Sequence, residues 1–356
     1  MLAILALAAY LSLWPVPIQA VSWQAPVAPG YVGVHASNSK LAGRHHISLH
    51  GEVGPEHIVF GPDGKLYTAV ASGKILRMDA DGGAQEVFAT TGGRTLGMAF
   101  DAKGNLIAAD AIKGLLSITP DGQVHLLSNS VDGHTIRFAN AVVVAGNGRI
   151  YFTVSSTRFA PADWGGTLAA ATLDVIEQSA TGRVLEYDPA TLATRIVAQC
   201  LSLANGIALS SDEQTLLVAE SGRYRVWKIA AQAAQLDVAL PSDQASILLD
   251  NLPGYPDNLM RGLDSKLWLG LAGQRNDLDA MDQKPFLRQM MLRIPQALWP
   301  TPKPYGHVLA FMEDGQIVAD LQDPSGTSPL TTGITETRTR LYLQAVDGKN
   351  LDWLER

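Results

Sequence analysis

Apolar and polar positions along this chain repeat as one unit: a short apolar run, a tight polar turn and a second apolar run. GPEHIVFGPDGKLYTA, FANAVVVAGNGRIYFT, ANGIALSSDEQTLLVA and YPDNLMRGLDSKLWLG follow it, and each opens on an oxygen-bearing side chain: Glu56, Asn140, Asn205 and Asp257. Ten residues separate Glu56 from Leu66, Asn140 from Ile150 and Asp257 from Leu267, while Asn205 to Leu216 is one longer within the turn SSDEQ. TLGMAFDAKGNLIAAD carries Leu96 in place of the oxygen residue, and GITETRTRLYLQAV is a sixth copy with a shorter turn. Unit starts near residues 54, 95, 138, 204, 255 and 333 lie 41 to 78 apart, the length of a four-stranded blade with insertions. Strands joined by turns, with no amphipathic helix between them, exclude a βαβ chain. The pattern predicts an all-β, six-bladed β-propeller over residues 42–356. The first strand of each blade would line the central channel, bringing the four oxygen residues to one axis.

Two carboxylates and two side-chain amides are hard oxygen donors, a set that suits calcium rather than zinc or copper. The expected cofactor is one Ca2+, another divalent cation being the alternative. Each residue alone would be an ordinary turn or capping residue. Their common register is what points to a metal.

GPEHIVFGPDGKLY, GRTLGMAFDAKGNLIAADAIKGLL, RFANAVVVAGNGRIYFTVSS, TGRVLEYDPATL, LANGIALSSDEQTLLVAE and LPGYPDN make residues 42–356 resemble a strictosidine synthase-like protein. That group is similar to the calcium-dependent propeller hydrolases: paraoxonases, gluconolactonases and diisopropyl fluorophosphatase. The resemblance implies that Glu56, Asn140, Asn205 and Asp257 hold the catalytic cation and that Asn258 is a fifth ligand. It also carries departures. Thr332 stands where strictosidine synthase has its catalytic Glu, and the nearby Glu336 matches a different position, which argues against alkaloid condensation. His57 and Ala141 replace the acids that hold a second calcium in paraoxonases, so one ion is expected. Val154 in FTVSS replaces an Asp common in related chains, with no assigned effect.

A bound dication polarises a carbonyl or phosphoryl oxygen. The resemblance makes Asp257 the candidate base or nucleophile, a pure ligand being the other reading. His57, beside Glu56, turns away from the channel by strand alternation and reads as structural. His134 and His307 fall in expected loops, as proton shuttles at the channel mouth or as solvated side chains. No G-x-S-x-G elbow, P-loop or dinucleotide fingerprint is present. The lone Cys200 can form neither an internal disulfide nor a thiolate cluster and reads as a small buried hydrophobe. HHISLH reads as an outer strand closing the ring.

STRFAPADWGGTLAAATLDVIEQSA breaks the strand pattern as a loop and short amphipathic helix able to lid the channel. A second break, AGQRNDLDAMDQKPFLRQMMLRIPQALWPTPKPYGHV, carries Phe286, Met290, Met291, Trp299 and Tyr305. Pockets for small organic molecules are mostly apolar, so Phe159, Trp164 and above all Tyr255, two residues before Asp257, are candidate substrate contacts, with packing as the alternative.

With 356 residues, 47% of them hydrophobic, the chain fills one large β domain. Its net charge of −7, without a basic stripe, gives no footprint for nucleic acid. Residues 1–20 hold no charged side chain and form an expected membrane anchor or signal segment, with the propeller outside the cytosol. Residues 21–41 read as a Pro-rich linker. Two functions remain: a calcium-dependent esterase or lactonase acting on small apolar substrates, and a non-catalytic propeller that binds a ligand or partner around a structural cation.

Overall fold

The computed structural model describes residues 1–295, 298–299 and 304–356. Six sheets of four or more strands stand around an axis as blades 1 to 6. Their innermost strands are His57–Phe60, Thr95–Phe100, Ala139–Val144, Ala204–Leu209, Gly254–Arg261 and Thr331–Glu336. Within each blade the next three strands follow outward in antiparallel order, and blade 3 carries an additional short parallel edge strand, Leu236–Asp237. Blade 6 takes its outermost strand from the other end of the propeller sequence. His45–Ser48, from HHISLH, pairs with Asn350–Glu355, His45 opposite Trp353 and Ser48 opposite Asn350.

The core is not central. It lies in six seams between neighbouring blades, which is why the second strands read as unbroken apolar runs: both faces are covered. In blade 4, Leu216 and Val218 face the seam with blade 3, while Leu217 and Ala219 face the seam with blade 5. The same two-sided arrangement places Tyr67 against Met98, Ile107 against Phe152, and Trp268 against Ile334.

The hairpin turns account for the extra residue in blade 4. In blade 1 the turn closes from Gly61 N–H to the Lys65 carbonyl, with Gly64 at φ +75°, where glycine carries no steric penalty. Blade 4 closes from Ser210 N–H to the Thr215 carbonyl, one residue wider, and Glu213 takes the left-handed position at φ +58°.

The first insertion forms helices Pro161–Trp164 and Thr167–Glu177, and the second contributes the helix Pro285–Met291. Together they roof one end of the channel over an apolar cluster that includes Phe159, Ala170, Leu173, Ile176 and Met291. Arg288 is buried beneath them and donates to the carbonyls of Ile176, Val21 and Asp282. The end of the expected anchor segment, from Ile18, and the residues expected as a linker after it pack together as a strap. Ile18 joins the roof cluster, Gln19 N–H donates to Glu177, Ala25 N–H to Asp282, and the Val27 carbonyl accepts from Asn251. Upstream lies an exposed apolar helix, Leu2–Leu13, ending before Pro15. At 12 residues it is about 18 Å long, shorter than a hydrocarbon core of about 30 Å. Among the described residues no helix is long and apolar enough to cross a membrane.

Candidate metal centre

Each oxygen residue sits at the mouth of an innermost strand, and in blades 3, 4 and 5 the ladder breaks register there. The pairing jumps between Ala139 and Val142, between Ala204 and Ile207, and between Pro256 and Leu259. Such β-bulges re-aim side chains, here turning Asn140, Asn205 and Asp257 toward the axis. Blades 2 and 6 bulge at Leu96 and Thr332 as well. The device recurs in five of the six blades, with only the residue placed on it differing, whereas Glu56 directly precedes the unshifted ladder of blade 1. Blades also approach very closely at this level: a Cβ added to Gly206 would stand 2.3 Å from the Asp257 carbonyl oxygen.

Glu56, Asn140, Asn205 and Asp257 line one cavity of about 840 Å³, open mouth included, under the helical roof. Leu96, Phe138, Leu203 and Tyr255 wall it, and Leu168, Ala171 and Val175 of the roof helix close it from above. All four oxygen residues are buried, at 4%, 6%, 6% and 9% exposure. Glu56 Oε2, Asn140 Oδ1, Asn205 Oδ1 and Asp257 Oδ1 nevertheless have no hydrogen-bond partner. An unsatisfied buried polar group costs on the order of 1–3 kcal/mol, so four together, all oxygens and all on one cavity, fit an oxygen-ligated cation.

The amides are fixed with their oxygens inward. Asn140 Nδ2 donates to Ser155 Oγ at 2.8 Å, and Asn205 Nδ2 to Ser221 Oγ at 3.2 Å. Each serine spends its single proton on the next blade, Ser155 on the Ala204 carbonyl and Ser221 on the Pro256 carbonyl. It can therefore only accept from the asparagine, which sends Oδ1 to the axis. In blades 2 and 5, whose bulge residues are Leu96 and Asp257, the serine position holds Ala111 and Ala272. Sequence reasoning missed this pair, although the serine that accompanies each ligand asparagine was legible in FTVSS and VAESG.

Arg94 was also missed. It is buried, with Nη2 3.7 Å from Glu56 Oε2 and Nη1 donating to the Gly54 carbonyl at 3.2 Å. Burial, and then the facing Asp257 carboxyl, raise the Glu56 pKa well above the ordinary carboxylate range, with Arg94 opposing. Burial pushes Asp257 up to about 7, against the Asn205 side chain and the Asn258 N–H. Two buried acids that resist ionising together are what a dication would relieve.

Other expected site residues are more dispersed. Tyr255 lines the cavity, with an unpartnered hydroxyl and a pKa raised by burial to about 12. Asn258 lies just outside it: Nδ2 donates to the Glu56 carbonyl and to Gln344 Oε1, and Oδ1 is buried without a partner. Phe159 is not a cavity contact, being packed in the roof cluster edge-on to the half-exposed Trp164, which also stands off the cavity. Of the second insertion, Asn276 and Leu278 reach the cavity, whereas Phe286 is exposed and Met291 and Trp299 pack in the roof. His134 is exposed on a small hairpin, Ser130–Val131 with His134–Thr135. His307 is on a strand, not a loop, buried in blade 5 against Asp320 and away from the cavity. His57 is buried as the neutral imidazole, its pKa lowered by burial to about 4, and Nδ1 has no partner, unlike a hydrogen-bonded structural histidine. Thr332 Oγ1 donates to the Glu56 carbonyl at 3.0 Å. Burial raises the Cys200 thiol to about 11, leaving it protonated.

Residues 33–78 match the strictosidine synthase-like N-terminal family model and residues 140–234 the strictosidine synthase model. The chain is 32% identical over 286 residues to protein strictosidine synthase-like 7 of Arabidopsis thaliana, covering 76% of this chain and 71% of that one. It is 30% identical over 353 residues to adipocyte plasma membrane-associated protein of Danio rerio, covering 92% and 81%. Among solved structures, a gluconolactonase of Xanthomonas campestris aligns with a TM-score of 0.61 at 20% identity, over 96% of both chains. Regucalcin of Agrobacterium tumefaciens, a calcium-binding protein, aligns at 0.60 and 15% identity, over 88% of this chain and 94% of its own. These two likenesses establish a shared propeller fold, and with the identity to the plant protein across most of both sequences, the chain belongs to the strictosidine synthase-like family.

Proposed function

We propose that this protein is a calcium-dependent hydrolase of small apolar esters or lactones. The observation that carries the reading is the convergence of unpartnered oxygens from Glu56, Asn140, Asn205 and Asp257 on one largely apolar cavity. Calcium held by these oxygens would supply Lewis-acid stabilisation of the negative charge that develops on the substrate oxygen. Leu96, Phe138, Leu203 and the roof helix exclude water and select an apolar substrate. Asp257, a carboxylate on the cavity wall, is the group able to take a proton from water or to attack directly. Ser155 and Ser221 hold the asparagine oxygens on the axis, and Arg94 stands behind Glu56. The gluconolactonase likeness supports lactones, and the regucalcin likeness supports calcium. Alkaloid condensation has no support, because Thr332 offers a hydroxyl already bonded to Glu56, and Glu336 is held by Trp268, Lys266 and Arg356.

One observation favours the second reading, a ligand-binding propeller with a structural cation: among the described residues no histidine lines the cavity. Turnover of aryl acetate and lactone panels with and without chelator, compared with Asp257→Asn, separates the two. Hydrolysis requires chelator-sensitive turnover that the variant loses. A calcium-stabilised protein that turns over neither panel leaves the binding reading. The exposed helix Leu2–Leu13, and a relative named for the plasma membrane, support attachment through residues 1–20 with the propeller outside the cytosol. Fractionation of the full chain beside one lacking residues 2–13 tests it: equal recovery in the membrane fraction rules that attachment out.

A further inference from the structure

Among the described residues no histidine lines the roofed cavity, yet two are buried together with a carboxylate at the edge of blade 5. His307, on the strand Gly306–Phe311, has Nε2 3.0 Å from Asp320 Oδ2 on the adjacent strand, Ile317–Asp323. His35, in the short turn Gly33–His35 of the strap, brings Nδ1 to 2.8 Å from the same oxygen. One ligand atom from each of the three residues lies within 4.8 Å of the others, and all three residues are buried. Asp320 is held from its far side. Gln322 Nε2 donates to Asp320 Oδ1 and to the His35 carbonyl, and Gln322 Oε1 accepts from Tyr305. Burial alone would raise the Asp320 pKa, but its bonds to His307, His35 and Gln322 outweigh that and hold it below the ordinary range, so the carboxylate is ionised.

Hydrogen bonding does not fully account for this arrangement. Two imidazoles converge on one buried carboxylate oxygen, and the hydroxyl of Tyr31, whose ring centroid is 5.7 Å from that of His307, is buried without a partner. We propose that His35, His307 and Asp320 form a second cation site, of the zinc class, that clamps the N-terminal strap to blade 5. Two imidazole nitrogens and one carboxylate oxygen, leaving a position for water, are a donor set for a borderline divalent cation and differ in kind from the all-oxygen channel. Gln322 and Tyr305 supply the outer hydrogen bonds that orient a ligating carboxylate. The strap that starts at His35 runs back over the roof through Ala25 and Val21, so an ion here would fix the far end of the cover above the cavity. The sequence leads to the expectation of one ion, and a cation here would be a second.

Cobalt is a spectroscopic stand-in for zinc. The full chain, stripped with chelator and then refilled with calcium, is titrated with Co2+ and read by its visible absorption. The expected result is a four-coordinate cobalt spectrum saturating at one equivalent and removed by Zn2+. It should persist in Glu56→Gln and in a His45→Ala, His50→Ala double variant, and its affinity should fall in His35→Gln by more than the ~10–100-fold that loss of an outer-shell partner costs. Absence of a stoichiometric spectrum overturns the proposal, as does one that His35→Gln leaves unchanged or that the exposed histidines account for. Should His35→Gln not fold, as read by circular dichroism, proteolysis of the wild-type strap decides. Zinc must slow cleavage within residues 24–31, and equal rates with and without zinc overturn the proposal.

Discussion

Two buried glutamates in this molecule live under opposite conditions. Glu220, at the end of the second strand of blade 4, accepts from the Ser202 N–H at 2.8 Å, from Arg225 at 2.6 Å and from the Trp227 indole at 2.7 Å. Glu56, at the head of blade 1, keeps Oε2 without a partner, faces a second carboxyl in Asp257, and has its nearest cation 3.7 Å away at Arg94. Both are removed from water, but only one is satisfied. A satisfied acid ties a blade together, whereas an acid left short of partners, beside others in the same condition, marks a place where the protein is completed by something it binds.

The sharpest way to break this contrast is to neutralise each acid in turn. Asp257→Asn should lower turnover by at least about 10²-fold with little loss of folding stability in chelated protein, measured by steady-state kinetics and denaturant unfolding. Glu220→Gln should do the reverse, costing about 2–3 kcal/mol of stability while leaving the calcium dependence of the remaining folded protein intact. If Glu220→Gln also abolished calcium-dependent stabilisation, the division between structural and functional acids would fail.

Removing the ion is the next test. At a calcium concentration about 100 times the dissociation constant, binding to the folded state alone adds about 2.7 kcal/mol, so chelation should lower the melting temperature of the wild type and leave that of Glu56→Gln nearly unchanged. Ser155→Ala and Ser221→Ala probe the orientation of the amides. Freed from their serines, Asn140 and Asn205 lose the bond that aims Oδ1, and calcium affinity by calorimetry should fall ~10-fold for each. Unchanged affinity would mean that the asparagine oxygens are not ligands.

Proton linkage gives the smallest effect and a definite sign. In chelated protein, folding raises the Asp257 pKa from 3.8 to about 7, so between these values the folded state holds a proton that the unfolded chain has lost. Stability then falls as pH rises through that window, and Glu56, also raised, adds in the same direction. Calcium competes with those protons, so its stabilising effect should grow from pH 5 to pH 7. A calcium effect independent of pH over that range would exclude both carboxylates as ligands.

Much of this was legible in the sequence because a propeller repeats. The period gave the blades, and the head of each inner strand gave Glu56, Asn140, Asn205 and Asp257, all of which meet in one cavity. What the repeat does not encode was harder to see. Arg94 reaches Glu56 across a seam between blades, a contact set by side-chain length and not by register. Phe159 and Trp164 read as cavity residues because a lid was expected around them, but the apolar underside of a roof needs aromatics as much as a pocket does. His307 shows the same limit, since its partner His35 is 272 positions earlier in a segment that reads as a linker. Val154, unexplained from sequence, now has a structural context. It is opposite Ala139 as Asp110 is opposite Thr95 and Glu220 opposite Ala204. Asp110 accepts from the backbone of Arg94, Ile112 and Lys113, whereas in blade 3 Val154 packs in the seam, and Ser156 Oγ accepts from Arg158 and Phe159 instead. The turn is held either way, and the acid is dispensable there.

Closure of blade 6 by His45–Ser48 sets an order of events. That strand leaves the ribosome before any other of the propeller, yet its partner, Asn350–Glu355, is synthesised some three hundred residues later. Pairings of such long separation form late and slowly. Glu56 follows the closing strand by only eight residues, so the first carboxylate of the proposed calcium site is fixed in position only when the circle locks. Until then a nascent chain would hold its other donors as an open arc, and calcium would act as a ligand of the finished ring and not as a template for building it.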